Sequence, residues 1–152
     1  MKSKFFVGVG RVDITPHIGG PLQGYTPWRN SESINDNLHL TAYLIEQGDT
    51  RVILASADLV SIPTILDRQL RAAMGKAADI KPEHIILAAT HTHSGPATAT
   101  DAEGNCRNPE YFENILLPAA IAAAKEAAAN LQPAQMGVGT TESQVGINRR
   151  QL

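Results

Sequence analysis

The sequence predicts an α/β fold: a mixed β-sheet covered by helices, with elements in the order β-β-β-α-β-α-β. Two observations predict it. Short apolar runs of strand character recur at residues 5–14, 38–46, 51–59 and 84–90. Two stretches of helical character, near 61–78 and 109–130, are interleaved with them. Strands alternating with helices of this length argue for a sheet with helices packed on it.

Phe5 to Ile14 is strand-like, and Gly8 and Gly10 within it predict a bend or the close approach of another backbone. Residues 15–36 read as a long loop, with Pro16, Gly19, Gly20, Pro21 and Gly24 followed by Pro27; long ordered loops are often functional. Leu38–Glu46 and Arg51–Leu59 are β-like and are joined by Gln47-Gly48-Asp49, which predicts a hairpin. Ser61 and Pro63 stand where the cap and first turn of a helix belong, and Leu66, Leu70, Ala73 and Met74 recur at helical spacing to about Ala78.

Lys81-Pro82-Glu83 is a turn. The nearly all-apolar run from His84 to Thr90 has the pattern of a strand buried on both faces. Residues 92–108 form a second long loop. Asn108-Pro109-Glu110 opens a helix with a capping side chain, a proline in the first turn and a carboxylate near the positive end of the dipole. This alanine-rich helix runs to about Asn130 and stops before Pro133, and Gln135–Ser143 is expected to form a last strand.

The 152 residues suit one domain, with 43% apolar and 18% charged residues, the composition of a globular chain. A formal net charge of −2 gives no electrostatic reason to expect a nucleic-acid or anionic-membrane partner. Cys106 is the single cysteine, so no intramolecular disulfide forms, and its acidic and polar neighbours mark it as a loop thiol. The start of the chain lacks the apolar stretch of about 7–15 residues of a signal peptide, which makes a cytoplasmic location the default expectation. No run approaches the roughly 20 apolar residues that would span a bilayer.

The chemistry concentrates at His91 and His93. They follow an apolar strand directly, and side chains two apart on an extended chain point to the same side. Both imidazoles can then converge on one point at the carboxyl end of a strand, where α/β proteins bind ligands. Neutral imidazole is a good zinc ligand, whereas one member of such a pair often only hydrogen-bonds. Thr92 faces the other way. Ser94-Gly95-Pro96 turns the chain, and Gly95 lets the backbone approach a ligand closely.

The remaining histidines do not complete a site. His84 is separated from His91 by roughly 23 Å at about 3.3 Å per strand residue. His39 alternates with Leu38 and Leu40 as a half-exposed strand residue, and His17 sits in the loop after Pro16. Asp58 ends a strand near the same sheet edge, either to hold a ligand histidine in its tautomer or to cap the strand end. Asp13 is a turn former with Thr15. Gly24 and Tyr25 either bring backbone close to the site or leave Tyr25 packed on its own loop.

Four stretches together carry a resemblance: Gly8-Val9-Gly10-Arg11-Val12-Asp13-Ile14-Thr15-Pro16, Leu22-Gln23-Gly24-Tyr25, Ala89-Thr90-His91-Thr92-His93-Ser94-Gly95-Pro96 and Gly146-Ile147-Asn148-Arg149. In order and approximate spacing they resemble the neutral/alkaline, non-lysosomal ceramidase family, over essentially the whole chain. The resemblance implies a zinc hydrolase that cleaves the N-acyl amide of ceramide, with a lipid amide as partner. It implies that His91 is the first zinc-ligating histidine and His93 its companion, either a second ligand or a residue just behind the ligands that supports them. It further implies that Arg149, with Asn148, lies in the active site, where the arginine stabilises an oxyanion or orients a substrate oxygen. The family's remaining ligands, a histidine, a glutamate and a tyrosine, lie further along a longer domain. Residues 1–152 are therefore expected to be the N-terminal part of such a catalytic domain, truncated before the site is complete. Ala97-Thr98 and Arg150 depart from the family's pattern of Gly-Gly and Asn-Arg-Ser.

Other readings compete. Barrel amidohydrolases also place His-x-His at a strand end, but usually after the first strand. Ser94-Gly95 replaces the Asp-His continuation of metallo-β-lactamase sites. No Gly-x-Ser-x-Gly and no phosphate-loop pattern occurs. A non-catalytic, inactive or metal-binding α/β module is the second class of expectation.

Overall fold

The computed structural model describes residues 5–27 and 29–146. A five-stranded mixed sheet has the order β5-β4-β3-β1-β7, built from β1 (Phe5–Asp13), β3 (His39–Gln47), β4 (Thr50–Ala57), β5 (Ile85–Ala89) and β7 (Gln132–Pro133). The β3–β4 hairpin is antiparallel and turns at Gly48, in the left-handed region. β5 joins β4 in parallel after a crossover through α1 (Thr64–Ala78). The expected α/β mixed sheet is thus present. The pattern missed a second, two-stranded ribbon of β2 (Leu22–Gln23) and β6 (Gly95–Pro96).

Helix α1 begins at Thr64 with Pro63 before it and no side-chain cap, so Ser61 does not cap it. The later helix begins at α2 (Pro109–Tyr111), where the Asn108 side chain accepts the Tyr111 N–H as its sequence predicts. It continues through a π-helical segment, Phe112–Leu116, into α3 (Leu117–Ala129). The Leu117 N–H bonds back to the Phe112 carbonyl, five residues earlier. Pro118 explains the widening: it has no N–H to give the preceding turn and its ring needs room there.

Helix α3 rests directly on β1. A Cβ at Gly8 would lie 1.9 Å from the Ala127 carbonyl oxygen, and one at Gly10 would lie 2.1 Å from that of Ala123. The two glycines therefore provide the close approach that the sequence predicted, and the small buried face Ala119, Ala120, Ala123, Ala124 and Ala127 completes it. The core lies between this helix, α1 and one sheet face, with Ile14, Leu40, Leu44, Ile53, Leu70, Met74 and Leu116 fully or almost fully buried.

On the other sheet face, a row of apolar side chains is exposed among the described residues. Val9 pairs with Tyr43, Tyr43 with Leu54 and Leu54 with Ile86, and all four side chains are exposed, Ile86 by 64%. β5 is an edge strand with Ile86 and Ala88 exposed, so the reading of residues 84–90 as a strand buried on both faces is corrected. An apolar run alone does not tell a covered face from an uncovered one.

The last strand is also corrected. Only Gln132–Pro133 pairs with β1, with Val7↔Gln132 and Phe6↔Pro133. Because the pairing is antiparallel, the following residues run off the described start of β1. Further along β1, the Val9 carbonyl and Arg11 N–H are occupied by Asn130 Nδ2 and Glu126 Oε2. Residues 135–143 accordingly form no strand, and Met136 and Val138 are exposed. Among the described residues, no helix is long and apolar enough to cross a membrane.

Candidate metal centre

The segment after β5 is anchored to the segment after β4: Thr90 N–H bonds to the Ala57 carbonyl at 3.0 Å and His91 N–H to that of Leu59 at 2.9 Å. His91 itself adopts φ 66°, a left-handed conformation uncommon outside glycine and costly enough to need support from its surroundings. The two imidazoles therefore meet through a left-handed turn, not along the extended chain that their spacing suggested. The Nε2 atoms of His91 and His93 lie 3.4 Å apart, with the rings edge-on and their centroids 5.0 Å apart.

His91 Nδ1 lies 2.7 Å from the Val60 carbonyl oxygen. A carbonyl can only accept, so Nδ1 carries the proton and the lone pair of a neutral His91 resides on Nε2. This backbone carbonyl takes the orienting role considered for Asp58. The Asp58 carboxylate instead accepts the His39 N–H at 2.9 Å, and its own N–H bonds to the His39 carbonyl, so it ties the start of β3 to the end of β4. His39 Nδ1 faces Arg11 Nη2 at 3.2 Å. Asp13 receives the Thr15 N–H and Asn37 Nδ2. The Thr15 bonds above all, then the Asn37 amide and nearby His39, hold its carboxyl below the usual range against slight desolvation.

The ribbon β2–β6 closes the other side of His93. Gly24, at φ 123°, leaves no room for a side chain: a Cβ there would lie 2.5 Å from His93 Cγ. The Tyr25 ring meets the His93 ring edge-on at a centroid distance of 5.3 Å. Gly95 is buried and pairs with Gln23, while Ser94 is exposed and accompanies Thr92 along a cleft of about 590 Å³ walled by residues 29–36. Thr92 and Ser94 thus lie along this cleft, whose lining includes neither imidazole. Ala97 and Thr98 are buried. Gln23 Oε1 accepts the N–H groups of Thr98 and Ala99 at 2.8 and 3.1 Å. Neither Gln23 nor Val60 stood out in the sequence; only the Leu22-Gln23-Gly24-Tyr25 stretch hinted at the first, and a backbone carbonyl has no sequence signal. Asn148 and Arg149 lie outside the described residues.

A tetrahedral zinc ion with Zn–N bonds of about 2.0–2.1 Å holds two ligand nitrogens about 3.3 Å apart. The 3.4 Å separation of the Nε2 atoms fits one edge of such a tetrahedron. Among the described residues, no group of three or more His, Cys, Asp or Glu side chains could share a metal ion, so the fit extends to two positions.

Residues 5–152 match the family model described as neutral/alkaline non-lysosomal ceramidase, N-terminal. The chain belongs to the neutral/alkaline ceramidase family. It is similar to a crystal structure of neutral ceramidase from Pseudomonas aeruginosa, with 26% identity and a TM-score of 0.73 over 88% of this chain and 23% of that one. A structure described as ceramidase complexed with C2 matches at 26% identity and a TM-score of 0.71, over 87% of this chain and 22% of that one. The chain thus spans less than a quarter of the ceramidase chains it matches. The His-x-His segment and the Gly24–Tyr25 wall lie within the family match.

Proposed function

We propose that the protein supplies two histidine ligands, His91 and His93, to the zinc centre of a ceramidase-like hydrolase acting on a linear lipid amide. The observation that carries this reading is the 3.4 Å approach of the two Nε2 atoms, the Val60 hydrogen bond leaving the lone pair of His91 on its Nε2. Family membership and similarity to neutral ceramidase support the class of reaction. When bound, zinc would polarise the amide carbonyl and lower the pKa of a water to about 7.

The residues of this chain have separable tasks in that reaction. His91 presents Nε2 in a fixed tautomer. His93 presents a second nitrogen whose ring is held between Gly24 and Tyr25. Arg149, with Asn148, is assigned to the developing oxyanion, where a guanidinium stabilises negative charge as it forms. The remaining ligands come from outside the described residues. A second reading, a metal-binding α/β module without turnover, draws support from the two-ligand set found among the described residues.

The test is metal analysis and hydrolysis of N-acyl amides, beginning with ceramide, by residues 1–152 and by a polypeptide carrying the further length seen in the ceramidases. The expected result is no turnover by residues 1–152, and zinc-dependent turnover by the longer polypeptide that His91→Ala abolishes and His93→Ala lowers strongly. Full activity of His91→Ala in the longer polypeptide would remove the site assignment. Zinc retention without any amide hydrolysis would favour the second reading.

A further inference from the structure

Gln23 lies between the two supports of the histidine pair. On one side it directly precedes Gly24, whose missing side chain admits the His93 ring. On the other it reaches Ser61, which directly follows Val60, the residue whose carbonyl takes the Nδ1 proton of His91. Its Oε1 faces two backbone donors, Thr98 N–H at 2.8 Å and Ala99 N–H at 3.1 Å, which fixes the amide orientation with oxygen inward. Its Nε2 donates to Ser61 Oγ at 3.5 Å. Thr98 is 1% exposed and its hydroxyl donates to the Ser61 carbonyl at 2.7 Å.

Thr98 and Ala99 lie outside the β2–β6 ribbon, so without Gln23 their N–H groups lose the acceptor that the structure gives them. A buried donor left without an acceptor is costly, and the segment rearranges in search of another partner. Such a rearrangement pulls on both supports at once. The β2–β6 ribbon carries Gly24, and the Thr98–Ser61 bond carries the backbone next to Val60.

We propose that Gln23 is a positioning residue for the paired imidazoles: with Thr98 it locks the segment that shapes the His93 side to the segment that holds His91. The inference rests on the reading of the pair as zinc ligands, but the geometry it predicts is present without metal.

The experiment compares the wild-type chain with Gln23→Met, which keeps the bulk and removes the acceptor, and with Gln23→Glu, which keeps an acceptor for both N–H groups. Two readouts are taken: the His91 tautomer of the metal-free protein by long-range 1H–15N NMR, and zinc affinity by calorimetry. Wild type is expected to show the Nδ1–H tautomer of His91. Gln23→Met is expected to give a mixture of tautomers and a loss of zinc affinity of about tenfold, the lower end for removal of groups that orient metal ligands. Gln23→Glu is expected to stay close to wild type in both. A folded Gln23→Met with the wild-type tautomer and zinc affinity would overturn the proposal, even if its Tm fell, because a purely structural role lowers Tm alone. If wild type binds no zinc while Gln23→Met still mixes the tautomers, the positioning role stands and the zinc reading falls. Should Gln23→Met fail to fold, Thr98→Val removes the hydroxyl bond to Ser61 at nearly constant volume, and an unchanged tautomer there would likewise overturn the proposal.

Discussion

Gly24 lies flat against the imidazole of His93, with space for a hydrogen atom and none for a methyl group. Gly24→Ala is therefore expected to displace the His93 ring and separate the two Nε2 atoms. Zinc affinity should fall about tenfold, as when groups that orient metal ligands are lost, while the far-ultraviolet circular dichroism stays that of wild type. Calorimetry checks it; an unchanged Kd in a folded variant would show that the ring is not confined by this contact.

Zinc binding by the chain itself should be weak. Complete structural sites bind with about 10–16 kcal/mol, and a Kd of one micromolar corresponds to about 8.2 kcal/mol. Two imidazoles leave half of a tetrahedral shell to water, so a Kd on the order of micromolar or weaker is expected, lost in His91→Ala. Nanomolar affinity would mean that further ligands act within residues 1–152.

Asp13 predicts an acid-sensitive joint between the end of β1 and the start of the long loop. Its carboxyl is held below its unfolded value, chiefly by Thr15. The stabilisation is therefore fully present above the unfolded pKa of about 3.9 and lost as pH falls through the folded value. Asp13→Ala should lower the urea midpoint at pH 6, and the difference should shrink as the pH falls below the unfolded pKa. The effect should be modest, since this carboxylate is largely exposed and screened. A gap between the two proteins that widens in acid would contradict the sign.

Gly10→Ala places a methyl group against the Ala123 carbonyl. Overpacking of this kind costs about 1–3 kcal/mol, and each kcal/mol lowers Tm by about 2–4 °C in a chain of this size. Gly48→Ala meets no steric obstacle from neighbours but carries a positive φ, so it separates backbone strain from helix displacement. Calorimetric scans of both should show the larger loss at Gly10, and equal losses would mean that α3 yields freely.

The hairpin, α1, the Asn108–Pro109 helix start and the glycine contacts of β1 were legible because each is written in neighbouring residues. The paired histidines were legible as a spacing, but their mode of meeting was not. The positive φ of His91 follows from its anchoring to Leu59, which lies 32 residues earlier. The ribbon β2–β6 rests on two residue pairs across more than seventy positions, too little to leave a periodic signal. The π segment did have one, Pro118 inside an otherwise alanine-rich helix. Residues 135–143 show the opposite case: local strand character without a remaining partner edge.

The seating of α3 on β1 has a mechanical consequence for the site. The Tyr111 hydroxyl, at the front of the same continuous helix, donates to the Ile14 carbonyl at 2.8 Å, and burial, with nearby Asp13 adding, pushes its phenol well above the usual range. Ile14 is the last buried residue before the loop that leads to Gln23 and Gly24. The helix therefore works as a gauge block: its height above the strand, set by two absent side chains at one end, is read out as the starting position of the loop at the other. A methyl group added beneath α3 would then be felt along the loop after Ile14 that brings Gly24 against His93.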